Sequence, residues 1–266
     1  MSAWAGVSVV NALPTGLGAT AAVSLRVAVT ISSTCRGAEA QSKLVETILH
    51  YFESRYSVQK QCVEIESQVP QGSGLKSSSA VAVALIKALV HSFGAYEPDV
   101  PRLAAELSRI AGVSFTGALD DAAAAYYGGV AVTDNTNMRV VRVLDFRSDL
   151  SVVVLVPRAV KRPSISLEEM RRYSSVFYLA FERAIEGDVL RAMTLNGTAI
   201  AKMLYPQLEG LVLKALELNA LAAGVSGNGP SVFAVCREGD EGPYEELFSS
   251  HGEVVKARLV RLGEEA

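Results

Sequence analysis

Cysteine and histidine are scarce, with three of each in 266 residues. Cys35, Cys62 and Cys236 share no metal-ligand spacing, and His50, His91 and His251 lie far apart. The pattern excludes a zinc site or a cysteine–histidine nucleophile pair built from a local motif. The expectation is a reduced, cytoplasmic protein. An excess of charge of one sign is also lacking. A net charge of −3 offers no global attraction to nucleic acid or to an anionic membrane. No stretch reaches the roughly 18 uninterrupted apolar residues of a membrane span. The N-terminus is apolar but has no basic residue before Arg26, and Asn11, Pro14, Gly16 and Gly18 interrupt it. A secretory signal is therefore not expected. Fixed repeats and low-complexity tracts are missing as well.

What is present has a globular balance, 50% hydrophobic and 20% charged, which separates it from disordered chains. Its length suits one large domain or two small lobes sharing a core. Val23, Leu25, Val27, Val29 and Ile31 alternate with smaller or polar residues, the pattern of a half-buried strand. "GVSVV", "VEIES", "SVFAVC" and "EVVKARLVRL" read as further strands. "GGVAVTD" and "MRVVRVL" read as a hairpin across "NTN", and "LSVVVLVP" as a buried strand. Helices are predicted over "AQSKLVETILHYFESRY", "AVAVALIKALVH" and "VPRLAAELSRIAG", and over residues 166–186, 188–203 and 206–221. The mixture points to an α+β fold with mixed or antiparallel sheets and packed helices rather than regular βαβ alternation. A soft boundary near residue 150, with no linker, suggests two intimate lobes, 1–150 and 151–266.

One stretch exceeds the needs of a turn. "PQGSGLKSSSA", residues 70–80, sets two glycines, a lysine and four serines before an apolar helix. A single serine would cap that helix. Glycines let backbone approach a ligand, and a helix N-terminus offers free N–H groups and a partial positive charge. Serine hydroxyls add donors or reach a metal ion. Pro70, Gly72, Ser73, Gly74, Leu75, Lys76, Ser77, Ser78 and Ser79 therefore form a candidate polyphosphate site. The stretch is not a P-loop, because Leu75 and Pro70 stand where that motif requires glycine. A second cluster, Gly16 to Ala21, fits the loose dinucleotide pattern, but the alternation after it is a strand where that motif needs a helix. It reads instead as a loop that lets backbone approach a small substrate.

Asp120 and Asp121 precede four alanines in "GALDDAAAAYYGG". Each is either a helix cap or a carboxylate that takes the proton of an attacking hydroxyl or holds magnesium.

The loop at 70–80 resembles the second motif of the GHMP kinases, proline, three residues, then Gly-Leu-Gly-Ser-Ser-Ala, with Lys76 replacing a glycine. "AGVSGNGPSVFAV", residues 223–235, resembles the family's glycine-rich third motif. Within that superfamily, "GSGLKSSSA", "GVSFTGALDD" and "NALPTGLGA" are most similar to the archaeal-type shikimate kinases, over Asn11 to about Ala234. The resemblance implies a two-lobed GHMP-kinase-like fold and ATP with Mg²⁺ on the 70–79 loop, with Ser78 at the metal. It implies phosphoryl transfer to shikimate, a step of aromatic amino-acid synthesis, with homoserine or mevalonate as rival acceptors. A GHMP-like protein that binds a ligand without transferring phosphate is a further alternative. Mevalonate-kinase spacing to Gly128-Gly129 selects Asp121 as base; homoserine-kinase spacing selects Asp120. An upstream magnesium-binding glutamate would correspond to Glu106, which also reads as an exposed helix residue. Lys76 points either to a phosphate or to solvent. The acceptor is expected near Asn11, Thr15, Gly16 and Gly18. Its carboxylate would meet Arg158, Lys161 or Arg162, unless those form a solvated basic turn.

Overall fold

The computed structural model describes residues 1–33, 41–70, 72–146, 149–158, 160–161, 163–164 and 166–266. One long strand organises its first half. β2 (Leu17–Ser32) pairs with β1 (Ser2–Val10), β3 (Cys62–Ser67) and β4 (Val130–Asp134), and β4 pairs with β5 (Arg139–Leu144). All of these ladders are antiparallel. The alternation from Val23 to Ile31 lies within β2, and Val23, Val27 and Val29 are buried. The strand begins earlier than the alternation suggests, so Leu17 to Thr20 pair with β4 rather than forming loop. That extended backbone is incompatible with a dinucleotide turn entering a helix.

A second antiparallel sheet runs in the order β7 (Ala222–Val225), β8 (Val232–Arg237), β6 (Leu150–Pro157), β9 (Gly252–Arg258). A single bridge, Val23 to Leu259, ties β2 to the chain following β9. One apolar cluster includes Val7, Val27 and Leu85 from the first half and Val152, Phe233 and Val235 from the second. The two sheets therefore share buried surface.

Helix α2 (Ser77–Phe93) is apolar on nearly every side, with Ala82 to Ile86 each fully enclosed. It packs on β1 and β2 and against α1 (Lys43–Tyr56), α3 (Val100–Ile110) and α4 (Leu119–Tyr127). Gly94 ends it in the left-handed region, where glycine carries no Cβ penalty. In α3 the Asp99 carboxylate accepts from Arg102 N at 3.1 Å, and Pro101 sits in the first turn. The alanines of α4 let it lie close to β1, β2 and β4.

The region 166–186 is two helices, α5 (Leu167–Arg172) and α6 (Ser174–Glu186), broken at Tyr173. α7 (Val189–Leu204) crosses β7 and β1, and α8 (Pro206–Glu217) packs on β7 and β8. Strand β7 and helix α9 (Gly242–Ser249) are too short for a periodicity to reveal. Cys62 is disulfide-bonded while Cys236 is free and buried. The expectation of reduced cysteines thus fails at Cys62, because pairing depends on approach in space rather than on sequence spacing.

Candidate active site

The turn into α2 is shaped by backbone that only a few residues tolerate. Gly72 and Gly74 have φ of +70° and +83°. A Cβ on Gly74 would lie 2.8 Å from the Ser226 carbonyl oxygen, so the third glycine-rich segment packs directly on this loop. Lys76, the N-cap of α2, is left-handed at φ 65°. A non-glycine residue there costs about 1–2 kcal/mol. Its side chain neither reaches into solvent nor stays free for a phosphate alone: Nζ lies 3.0 Å from Asp121 Oδ1. Burial lowers the Lys76 pKa, but the carboxylates of Asp121 and Asp120 more than offset this and raise it overall.

Gly72, Gly74, Lys76 and Ser77 to Ser79 line a cavity of about 310 Å³. Asn11, Asp120, Asp121, Gly227 and Asn228 line it too. The first N–H groups of α2 have no partner in their own helix, which suits an anion. Pro70, Ser73 and Leu75 shape the loop instead. The Pro70 carbonyl accepts from Ser73 N, the Ser73 hydroxyl accepts from Leu75 N at 3.4 Å, and the Leu75 carbonyl accepts from Gly6 N at 3.1 Å.

Neither aspartate caps its helix. The N-cap of α4 is Ala118, at φ 52° and without a side-chain bond. Asp120 and Asp121 fall in the first turn, 3% and 8% exposed. They share one threonine: the Thr20 hydroxyl is 2.6 Å from Asp121 Oδ1 and 3.0 Å from Asp120 Oδ2. Asn135 Nδ2 donates to Asp120 Oδ1 at 3.2 Å, while its own Oδ1 accepts from Leu119 N at 2.7 Å. Burial, then the neighbouring Asp121, pushes the Asp120 carboxyl up to about 7. A proton on Asp120 suits the geometry. Thr20 has one hydrogen to give, and a protonated Asp120 can donate to the Thr20 oxygen while Thr20 donates to Asp121.

The first loop is anchored to the second half of the chain. Asn11 N donates to Asn196 Oδ1 at 2.8 Å, and Asn11 Nδ2 donates to Asn228 Oδ1 at 2.8 Å. Thr15 and Gly16 line a second cavity of about 620 Å³. A Cβ on Gly16 (φ +80°) would collide with the Thr136 side chain. Gly18 lines neither cavity. A Cβ there would come within 2.8 Å of Asp120 Oδ1 and Asn135 Nδ2, so its absence makes room for the carboxylate cluster.

Arg158 and Lys161 are exposed and line neither cavity; Arg162 lies outside the described residues. Glu106 pairs with Arg102 at 2.9 Å on the face of α3, away from the cavity. Sequence reasoning missed Thr20, Asn135, Asn196 and Asn228. Asn135 lies in the hairpin turn "NTN", where asparagine is ordinary, so nothing local marks it.

Fold and site together define a kinase of the class suggested by the glycine-rich loops. The model of the GHMP kinases N terminal domain matches residues 42–129, and that of the GHMP kinases C terminal domain matches 181–243. The chain belongs to the GHMP kinases. A protein of Archaeoglobus fulgidus named shikimate kinase is 35% identical over 273 residues, covering 99% of this chain and 92% of the relative. One of Pyrococcus furiosus with the same name is 38% identical over 200 residues, covering 72% and 70%. Among solved structures, a mevalonate kinase aligns with a TM-score of 0.74 at 14% identity, covering 98% of each chain. A homoserine kinase from Cytophaga hutchinsonii aligns at 0.70 and 21%, covering 99% of this chain and 96% of its own. These two likenesses show the fold.

Proposed function

We propose that this chain is a shikimate kinase, transferring the γ-phosphoryl group of ATP to the 3-hydroxyl of shikimate. The acceptor assignment is supported by the shikimate kinases that match nearly the whole chain. The transfer chemistry is supported by one observation above others: the helix N-terminus and the Lys76–Asp121 pair face the same cavity.

In this reading ATP lies with its phosphates along Gly72 to Ser79, against the free N–H groups of α2. Asp121 is the base. It carries the ion pair with Lys76, while Asp120 holds a proton near neutrality. As the acceptor oxygen attacks the γ-phosphorus, its proton passes to Asp121 and ADP departs with the bonding pair. Lys76 holds the Asp121 carboxylate in place and sets a positive charge beside the incoming oxygen. Asn135 and Thr20 fix the orientation of both carboxylates.

Serine hydroxyls facing the cavity, with no cluster of three His, Cys, Asp or Glu among the described residues, fit a cation that takes few protein ligands. Ser78 would hold magnesium together with phosphate oxygens and water, and the ion would neutralise charge on the transferred group. Among the described residues no helix is long and apolar enough to cross a membrane. A kinase that uses ATP and a small metabolite fits the cytoplasm, with no nucleic acid or membrane partner; this placement rests on its substrates and no longer on its cysteines, since Cys62 is paired.

The test is ADP release from Mg·ATP with shikimate, homoserine and mevalonate in parallel. Shikimate should stimulate turnover far above the other two. Equal or greater stimulation by either rival would overturn the acceptor assignment, and no stimulation by any of them would favour a ligand-binding protein without transfer.

A further inference from the structure

The second cavity has a chemistry of its own. It is twice the size of the first, about 620 Å³ against 310 Å³, and the two share Ala12, Leu13, Phe115 and Thr116. Two arginines line it, Arg109 at the end of α3 and Arg171 near the end of α5, and no carboxylate does. Each helix carries another arginine that is already neutralised: Arg102 pairs with Glu106, and Arg172 with Glu168. Among the described residues, Arg109 and Arg171 are in no ion pair. The stem of Arg109 is laid along the loop before α4. A Cβ on Gly117 would come within 3.1 Å of Arg109 Cδ and 3.3 Å of its Cγ. Glycine at 117, with φ of +88°, leaves that channel open.

We infer that Arg109 and Arg171 receive the carboxylate of the acceptor and set which acids the enzyme accepts. The inference rests on the shikimate-kinase reading. An anion in a partly enclosed site needs cationic donors, and a guanidinium matches a carboxylate with two parallel N–H bonds. Ser174 and Tyr178 line the same cavity and offer hydroxyls to the acceptor's remaining oxygens. Asn135 lines the same cavity, and its Nδ2 is bonded to Asp120. The lining shared at Ala12, Leu13, Phe115 and Thr116 joins this cavity to the one that Asp120 and Asp121 border, so an acceptor held at the arginines can present a hydroxyl to the aspartates. Arg158 and Lys161, two of the three cations expected from sequence, line neither cavity, and the third, Arg162, lies outside the described residues.

The test uses the full chain with Arg109→Gln, Arg171→Gln and the double variant. Each is assayed with shikimate and with its methyl ester, which keeps every ring hydroxyl and loses the charge. The wild type should prefer the acid. Each single variant should raise the KM for shikimate about 10- to 100-fold, leave the KM for ATP within about twofold, and bring the acid-to-ester ratio of kcat/KM toward one. Arg→Lys at the same positions should recover part of that ratio. An acid-to-ester ratio in the double variant equal to that of the wild type overturns the inference. Failure of the underlying reading looks different: the wild type itself would then show no shikimate-dependent ADP release.

Discussion

The two cavities meet at Phe115 and Thr116 but are assembled by different means. The first is built mainly from short runs, 10–13, 76–79, 113–116, 120–121 and 227–228, brought face to face. The second adds to one run after β1, 12–16, scattered residues from the end of α3, the loop before α4, the turn after β4, and helices α5 and α6. The difference follows from the roles proposed for the two. Holding phosphate requires a particular local backbone, with left-handed turns feeding a helix N-terminus, and that backbone is written in consecutive residues. Recognising an acceptor requires only that suitable groups surround a volume, and any element that borders it can supply them.

If the first cavity performs the chemistry, damage there should strike turnover and stability together, whereas damage in the second should strike acceptor affinity alone. The largest effect is expected at Asp121. Asp121→Asn should lower kcat by about 10²–10⁴-fold, measured well below the melting temperature because Lys76 loses its partner. Asp120→Asn should be milder, since Asp120 holds a proton near neutrality. A reversed order would assign the base to Asp120.

Lys76 comes next. Lys76→Ala leaves two buried carboxylates without their cation, and breaking a buried pair costs about 3–5 kcal/mol. Lys76→Gly removes the same charge but relieves the left-handed backbone, so it should melt above Lys76→Ala by the equivalent of about 1 kcal/mol. Thermal melts of the two variants check this. Identical melting would mean that the turn at 76 carries no strain.

The smallest effect is a pH dependence. The Asp120 carboxyl is raised from the usual 3.8 to about 7. Between those values the folded chain binds more protons than the unfolded one, so stability is greatest at the acid end and declines as pH rises through 7. Chemical denaturation from pH 4 to 7.5 should show this decline in the wild type and a shallower one in Asp120→Asn. Parallel curves would place the titrating group elsewhere.

Much of the first cavity's lining was legible in the sequence, since "GSGLKSSSA" and "LDD" supply many of its polar residues. The direction of Lys76 was not, because it depends on α4 lying across the turn. The capping reading of the aspartates failed because Ala118 takes the left-handed N-cap and moves both carboxylates into the first turn. Most strands followed from alternation or apolar runs, while β7, four residues long, shows neither. The arginines of the second cavity were illegible for a simpler reason. On a helix exposed to water, a cavity-facing arginine and a solvent-facing one look alike until the neighbouring elements are in place. The basic run at 158–162 was the more conspicuous signal.

The loop proposed to hold phosphate depends on a residue that lies in neither cavity lining. Ser226 Oγ donates to the Gly74 carbonyl at 3.1 Å across 152 positions of chain, and accepts from Ser8 N at 3.2 Å. A chain still being synthesised carries the whole phosphate motif once residue 80 has emerged. The turn cannot take its final form until Ser226 and Gly229 have closed over it. The binding site is therefore a late product of folding, completed when the distant glycine-rich segment docks, and a chain ending before that segment would keep the motif without the cradle it specifies.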